Sequence, residues 1–251
     1  MKKLMFACFA VSLAFTACKK SNDVVEPAHK NLITKITYDG AVPADRLMYT
    51  YTYDASNRMT TFARTSNPSN PSRNYTFTYN ANGSLAEYFE SIGNNKGKYT
   101  YNADGTVATQ KEYSVSGAVE TLYNTYTYTY AAGIVTENYV YSPTGNGFRQ
   151  EYKYDVNGNN IEVKSYNTTP ANPAGTFSGT ATYGNYDAQN NPNSSYPPAF
   201  IFPGSAKNNY RSLSYNSGGT ATYTYEYNAD GYPTKRSAGS TDVSVYEYKR
   251  L

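Results

Sequence analysis

The sequence predicts an all-β fold, an antiparallel meander of hairpins curled into a barrel or a strongly curved sheet of about 14 to 16 strands. Three observations predict it. Tyrosine alternates with small polar residues, as in Tyr126-Thr127-Tyr128-Thr129-Tyr130, and a period of two puts all three rings on one face of a strand and both threonines on the other. Tyrosine-rich strands recur with Asx or Gly turns after them, at Tyr51-x-Tyr53-Asp54, Phe77-x-Tyr79-Asn80, Tyr99-x-Tyr101-Asn102, Tyr128-x-Tyr130, Tyr152-x-Tyr154-Asp155 and Tyr225-x-Tyr227-Asn228. Finally, 30 Tyr and 10 Phe stand beside few aliphatic residues, so aromatic rings must supply most of the buried apolar area.

The chain opens with the basic Met1-Lys2-Lys3, an apolar run from Leu4 to Phe15, and Thr16-Ala17-Cys18. That order of charge, apolar run and small residues is an export signal, and the run is too short for the roughly 20 residues that span a bilayer as a helix. It resembles the lipobox of bacterial lipoproteins, with Phe15 where Leu is usual. The resemblance implies cleavage before Cys18, lipidation of Cys18, and a membrane partner through that anchor. Cys8 leaves with residues 1–17, so no disulfide is expected. Residues 18–30 are poor in apolar content and read as a tether that carries the single histidine, His29. The β domain is expected over residues 31–251.

Within it, Tyr49-x-Tyr51-x-Tyr53 leads into the turn Asp54-Ala55-Ser56-Asn57, where Asn occupies the place Gly takes elsewhere. Tyr75-x-Phe77-x-Tyr79 leads into Asn80-Ala81-Asn82-Gly83, and Tyr99-x-Tyr101 into Asn102-Ala103-Asp104-Gly105. The run 126–130 meets the shorter Ala131-Ala132-Gly133, and Tyr152-x-Tyr154 meets Asp155-Val156-Asn157-Gly158. Tyr223-x-Tyr225-x-Tyr227 meets Asn228-Ala229-Asp230-Gly231. In each four-residue Asx turn the first side chain bonds backbone two residues on, and Gly accepts the positive φ of a tight loop. Strands resume after the turns, as in Thr106-Val107-Ala108 and Ile161-Glu162-Val163. From 167 to 209 the hairpin signal lapses into a Pro- and Asn-rich stretch around the apolar island Ala199-Phe200-Ile201-Phe202.

The unit Tyr-x-Tyr-[Asp/Asn]-x-[Asn/Asp]-Gly resembles the YD repeat of RHS-type proteins. Within that group the chain is similar to Bacteroidetes lipoproteins of unknown function that carry a YD-type β domain described as porin-like. Tyr186-Asp187-Ala188-Gln189-Asn190-Asn191-Pro192 and Tyr227-Asn228-Ala229-Asp230-Gly231 extend the likeness, which spans about residues 31–251. The resemblance implies a curled antiparallel meander and an outer-membrane lipoprotein of the cell envelope, periplasmic or surface-exposed. A pore is not expected, because the residues opposite the tyrosines are largely Thr, Asn, Ser, Lys and Glu rather than lipid-facing apolar side chains.

Composition narrows the function further. Without Lys2 and Lys3 the 22 basic residues fall to 20 against 19 acidic ones, and the basic residues are scattered singly, so no nucleic-acid partner is expected. Residues 31–251 hold neither His nor Cys, which removes the usual nucleophile–base sets and zinc sites; no catalytic residue, metal or cofactor is expected. Asp155-x-Asn157-x-Asn159 superficially matches the start of a calcium loop, but Tyr166 stands where the bidentate Glu belongs and the hairpin turn already explains these residues.

The expected role is therefore a lipid-anchored envelope protein with a non-catalytic structural or binding domain, its partner a glycan or another envelope protein. In the interrupted stretch, Phe200 to Phe202 is expected to plug the open end of the sheet. The alternative is a glycan-binding lipoprotein whose cleft is lined by Tyr183, Tyr186, Tyr196 and Phe200, with Asp187 and Asn191 as polar contacts. A third reading is a carboxylate-pair glycosidase, using acids such as Glu87 with Glu90, or Glu247 with a neighbouring strand.

Overall fold

The computed structural model describes residues 31–39, 46–65, 72–239 and 242–251. The export signal over 1–17, Cys18 and the tether to residue 30 lie outside the described residues. The strands run β1 Asn31–Asp39, β2 Leu47–Tyr53, β3 Met59–Arg64, β4 Arg73–Tyr79, β5 Leu85–Glu90 and β6 Asn95–Tyr101. They continue as β7 Val107–Ser116, β8 Val119–Ala131, β9 Ile134–Tyr141, β10 Gly147–Tyr154, β11 Asn160–Thr169 and β12 Asn172–Gly184. The last five are β13 Ser212–Tyr215, β14 Thr220–Thr222, β15 Thr224–Tyr227, β16 Pro233–Ala238 and β17 Asp242–Arg250.

Neighbours in sequence pair antiparallel around the whole sheet, and β1 pairs with both β2 and β17, so the circuit returns to its start. Short β14 and β15 are two halves of one run interrupted at Tyr223, whose N–H donates to Arg211 O at 2.9 Å. The 17 assigned strands are thus 16 runs, the even number that an antiparallel circuit needs for its first and last strands to pair.

The turns form as their residues dictate. In Asn80–Ser84 the Asn80 N–H donates to Ser84 O (2.8 Å) and the Gly83 N–H to Asn80 O (2.9 Å). Gly83 has φ +87°, a conformation that costs a side chain strain and Gly nothing. The same pair of bonds recurs after Tyr53, Tyr101, Tyr154 and Tyr227. Asp155 Oδ1 accepts from the N–H groups of Asn157 (2.8 Å) and Asn159 (2.9 Å), the use of its carboxylate that the turn reading expects. Burial works to raise the Asp155 carboxyl, but bonds from Asn159, Asn157 and Gly158 outweigh it and hold it below its ordinary value.

Each of these turns is followed by a bulge. Tyr101 faces Val107 but Thr100 faces Thr109, leaving Ala108 as an extra residue, and register shifts at the equivalent place after Tyr53, Tyr79, Tyr154 and Tyr227. The bulge reverses which face of the returning strand points inward. Val107 is inward, and so are Gln110 and Glu112, opposite Tyr99 and Gly97.

A tyrosine near the end of several strands does a second job. Tyr53 OH donates to Ile33 O (2.6 Å), Tyr79 OH to Met59 O (2.6 Å), Tyr101 OH to Leu85 O (2.7 Å), Tyr130 OH to Val107 O (2.7 Å) and Tyr248 OH to Pro233 O (2.9 Å). Every one clips its strand to the beginning of the strand before it. Tyr186, outside any strand, makes the matching bond to Asn160 O.

Ring ladders fill the interior: Tyr51, Phe77, Tyr88, Tyr99, Tyr128, Tyr152 and Tyr246 are buried with Ile33, Ile36, Met59, Leu85 and Val107. Outward, Thr50, Thr52, Thr76, Thr78, Thr100, Thr127 and Thr129 are exposed. Cross-strand hydroxyl pairs such as Thr52 with Thr61 (2.6 Å) and Thr100 with Thr109 (2.7 Å) decorate that face. No helix among the described residues is long and apolar enough to cross a membrane.

The irregular stretch is shorter than the sequence suggests. Residues 167–184 are not irregular: β11 and β12 form one of the longest hairpins, turning at Pro170-Ala171, and only 185–211 leaves the sheet. Pairing to β11 overrides the weak local strand propensity of Asn172-Pro173-Ala174-Gly175, a tertiary effect.

Candidate functional site

Two places inside the barrel combine aromatic rings with polar groups, and a plug made by residues 192–203 separates them. Asn191 caps a 3-10 turn over Pro192–Ser195, its side chain accepting from Asn193 N–H at 2.9 Å. One helical turn, α1 (Pro198–Ile201), follows. Tyr196 OH bonds Tyr51 OH at 2.6 Å, and Ile33 N–H donates to Ser195 Oγ at 3.3 Å. Phe200 meets Phe77, Tyr88 and Tyr75 edge-on with ring centres 4.9, 5.4 and 5.7 Å away, while Phe202 packs on Tyr128 and Tyr130. Tyr154, whose clip would otherwise close on β9, donates instead to Pro203 O.

An Asx lattice fastens the ends of this segment. Asp187 accepts from Gln189 N–H (2.9 Å), Asn209 N–H (3.3 Å) and Tyr227 OH. Asn191 Nδ2 donates to Asn208 O (3.0 Å), and Asn208 N–H to Asn159 Oδ1 (2.9 Å).

The six residues expected to line one cleft are therefore divided three ways. Tyr196 and Phe200 stack in the plug, with ring planes 7° apart. Asp187 and Asn191 belong to the lattice. Tyr183 and Tyr186 both meet Tyr210 edge-on, at 5.1 and 6.3 Å.

On the turn side of the plug lies a groove of about 930 Å³. Tyr79, Tyr101 and Tyr130, the Asn82 and Asp104 turns, and Phe202 are among its walls. A carboxylate there, Asp104, is held below its ordinary value by the hydroxyl and N–H of Thr106.

The second place lies on the inner wall of β5 to β10. Glu112 Oε1 accepts from Tyr88 OH (2.5 Å) and Gln110 Nε2 (3.1 Å), and its Oε2 from Asn124 Nδ2 (2.8 Å) and Tyr126 OH (3.4 Å). Tyr88 reaches it because residue 97 is Gly: a Cβ there would sit 2.1 Å from the Tyr88 ring. On β9, Glu137 is only 5% exposed and accepts from Tyr152 OH at 3.2 Å. Burial, with a contribution from the Glu112 charge, pushes Glu137 up to about 7 against that hydrogen bond. Gln110, Glu112, Tyr126 and Gln150 point inward yet are only half-buried, so the lumen beside them is open to water.

Sequence reasoning singled out Glu87, Glu90 and Glu247 among the acids and passed over this pair. Glu90 is a structural acceptor for Ile92 and Gly93 N–H, both at 2.9 Å, and Glu247 pairs with Lys35 at 2.7 Å. No group of three or more metal-ligating side chains occurs among the described residues.

Comparison with known proteins begins from structure, since no protein-family model matches the chain and no curated protein matches it in sequence. A porin-like protein from Bacteroides vulgatus is similar at TM-score 0.55 and 13% identity, covering 88% of this chain and 100% of that one. One from Bacteroides uniformis is similar at 0.53 and 16%, covering 86% and 98%. The barrel has their fold. The TcdB2–TccC3 toxin complex is a more distant likeness, at TM-score 0.37 and 12% identity over 11% of its chain.

Proposed function

We propose that this chain is a lipid-anchored protein of the cell envelope whose barrel is a non-catalytic binding or structural module working in water, not a membrane pore. One observation carries the reading: the outer face of the barrel is mostly polar along its strands, with single apolar residues such as Val119, Val140 and Phe177 and no continuous apolar band, while its interior is lined by rings and crossed by its own plug. A pore needs the reverse, apolar side chains outside and a polar channel within. The porin-like name of its structural neighbours supports an envelope location, and the Cys18 lipobox supports the anchor. Intact-mass measurement of membrane-extracted protein is expected to show acyl chains on Cys18. An unmodified, secreted product contradicts the anchor.

The groove between the turns and the plug favours a second reading, glycan binding. Its tyrosines and Asx side chains offer the apolar edges and hydrogen-bonding groups a sugar ring uses. A glycan array is expected to give hits that weaken when Tyr101 is changed to Ala, and a blank array contradicts it.

A further inference from the structure

We propose that the groove on the turn side of the plug binds a glycolipid, an uncharged sugar head carrying an alkyl or acyl tail. The proposal rests on the glycan reading of that groove and names the ligand class. Four successive hairpins line the groove, those after Tyr79, Tyr101, Tyr130 and Tyr154, and the plug adds Pro197, Pro198 and Phe202. Each hairpin step is two strand spacings, so this lining runs about 30 Å along the sheet, too long for a single sugar ring. Its two halves differ in chemistry. Over β4 to β7 the turns supply Asn82, Ser84, Asp104 and Thr106, the amide, hydroxyl and carboxylate groups that sugar hydroxyls pair with. Over β8 to β11 the strands and turns supply Ala131, Gly133, Ile134 and Val135 instead. Tyr130 and Tyr154 there donate their hydroxyl protons to Val107 O and Pro203 O, and Phe202 stacks on Tyr130 at 5.9 Å, so this half presents carbon.

Charge and chain entry narrow the occupant. Arg58 is the only cation among the described lining residues, and it is paired with Asp54 at 2.8 Å, so a phosphate headgroup finds no free positive charge beside Asp104. An uncharged sugar needs none. Separately, β1 enters the barrel at this rim. Ile33 O accepts from Tyr53 OH (2.6 Å), Ile33 N–H donates to Ser195 Oγ of the plug (3.3 Å), and Asn31 Nδ2 donates to Asp230 in the last Asx turn (2.8 Å). The 13 residues from Cys18 to Lys30 therefore join the barrel at the rim that carries the groove, and they extend at most about 45 Å. With the anchor proposed at Cys18, the groove stays within a tether's length of lipid. A glycan without a tail fills only the β4–β7 half and leaves the apolar half in water.

The test is calorimetric titration of the full chain carrying Cys18→Ser, so that neither an acyl anchor nor a detergent competes. The probe is n-octyl β-D-glucoside below its micellar concentration, with methyl β-D-glucoside and octane-1,2-diol as controls. Octyl glucoside is expected to bind at least tenfold more tightly than either control, because one lacks the tail and the other the sugar. Ile134→Asn, at a 37% exposed position of the apolar half, should weaken it severalfold. Val119→Asn, at the opposite rim, should leave it unchanged, with both variants folded by circular dichroism. Binding of octyl glucoside that is absent, no tighter than either control, or equally weakened by Val119→Asn overturns the proposal. Hits from tail-free glycans on the array beside such a failure keep the glycan reading, whereas a blank array removes it, so the two failures are distinguishable.

Discussion

Phe200 stands edge-on to Phe77, with 4.9 Å between ring centres and 80° between planes, so a residue of the irregular segment completes the core of a strand more than a hundred positions earlier. The plug is part of the fold, not a lid resting on it. Truncating Phe200→Ala removes contacts to four rings, Tyr75, Phe77, Tyr88 and Tyr196, and leaves a void, and is expected to cost about 3 kcal/mol. Urea unfolding measures it, and a loss below about 0.5 kcal/mol contradicts the packing described.

The tyrosine clips make a more local prediction. Tyr101→Phe removes the 2.7 Å bond to Leu85 O but leaves the ring, so the expected loss is about 1 kcal/mol. Hydrogen exchange should quicken where β5 begins and β6 ends, beside the Asn80 and Asn102 turns, before it does elsewhere.

Glycines 97 and 105 separate two reasons for the same residue. Gly105 has φ +85° with nothing near an added Cβ, so Gly105→Ala should cost about 1 kcal/mol through the backbone alone. In Gly97→Ala the new Cβ strikes the Tyr88 ring, so about 1–3 kcal/mol is expected together with loss of the Tyr88–Glu112 bond. Tyr88 fluorescence or NMR shifts should move only in the second variant.

Glu137 sets a pH dependence. Burial holds its folded value at about 7, above the ordinary 4.5 of a glutamate, so its contribution is fully present below pH 4.5 and is lost as pH rises through 7. Above pH 8 the cost of the buried charge is on the order of 3 kcal/mol. Glu137→Gln should therefore raise the melting temperature at pH 8 and leave it nearly unchanged at pH 4. A variant equally affected at both values contradicts the assignment.

Much of this architecture is legible in the sequence, because period-two tyrosines and Asx-Gly turns are local signals that the structure obeys at Tyr51, Phe77, Tyr99, Tyr128 and Tyr152. The island at Phe200 to Phe202 is legible as a plug for the same reason: a short apolar run among polar residues has to be buried somewhere. The lumen carboxylates are not. Alternation carried on from Val107 assigns Gln110 and Glu112 to the outside, and only the bulge at Ala108 turns them inward. Strand β12 is hidden differently, since Asn172 to Gly184 pairs because β11 offers it an edge, and its own residues give little strand signal.

The central claim, a water-borne plugged barrel and not a channel, is tested most directly by planar-bilayer recording with the detergent-solubilised full chain. The polar outer face predicts no discrete conductance steps, either for the native chain or for Phe200→Ala with its plug loosened. Stable, repeatable steps from the native chain would contradict the account.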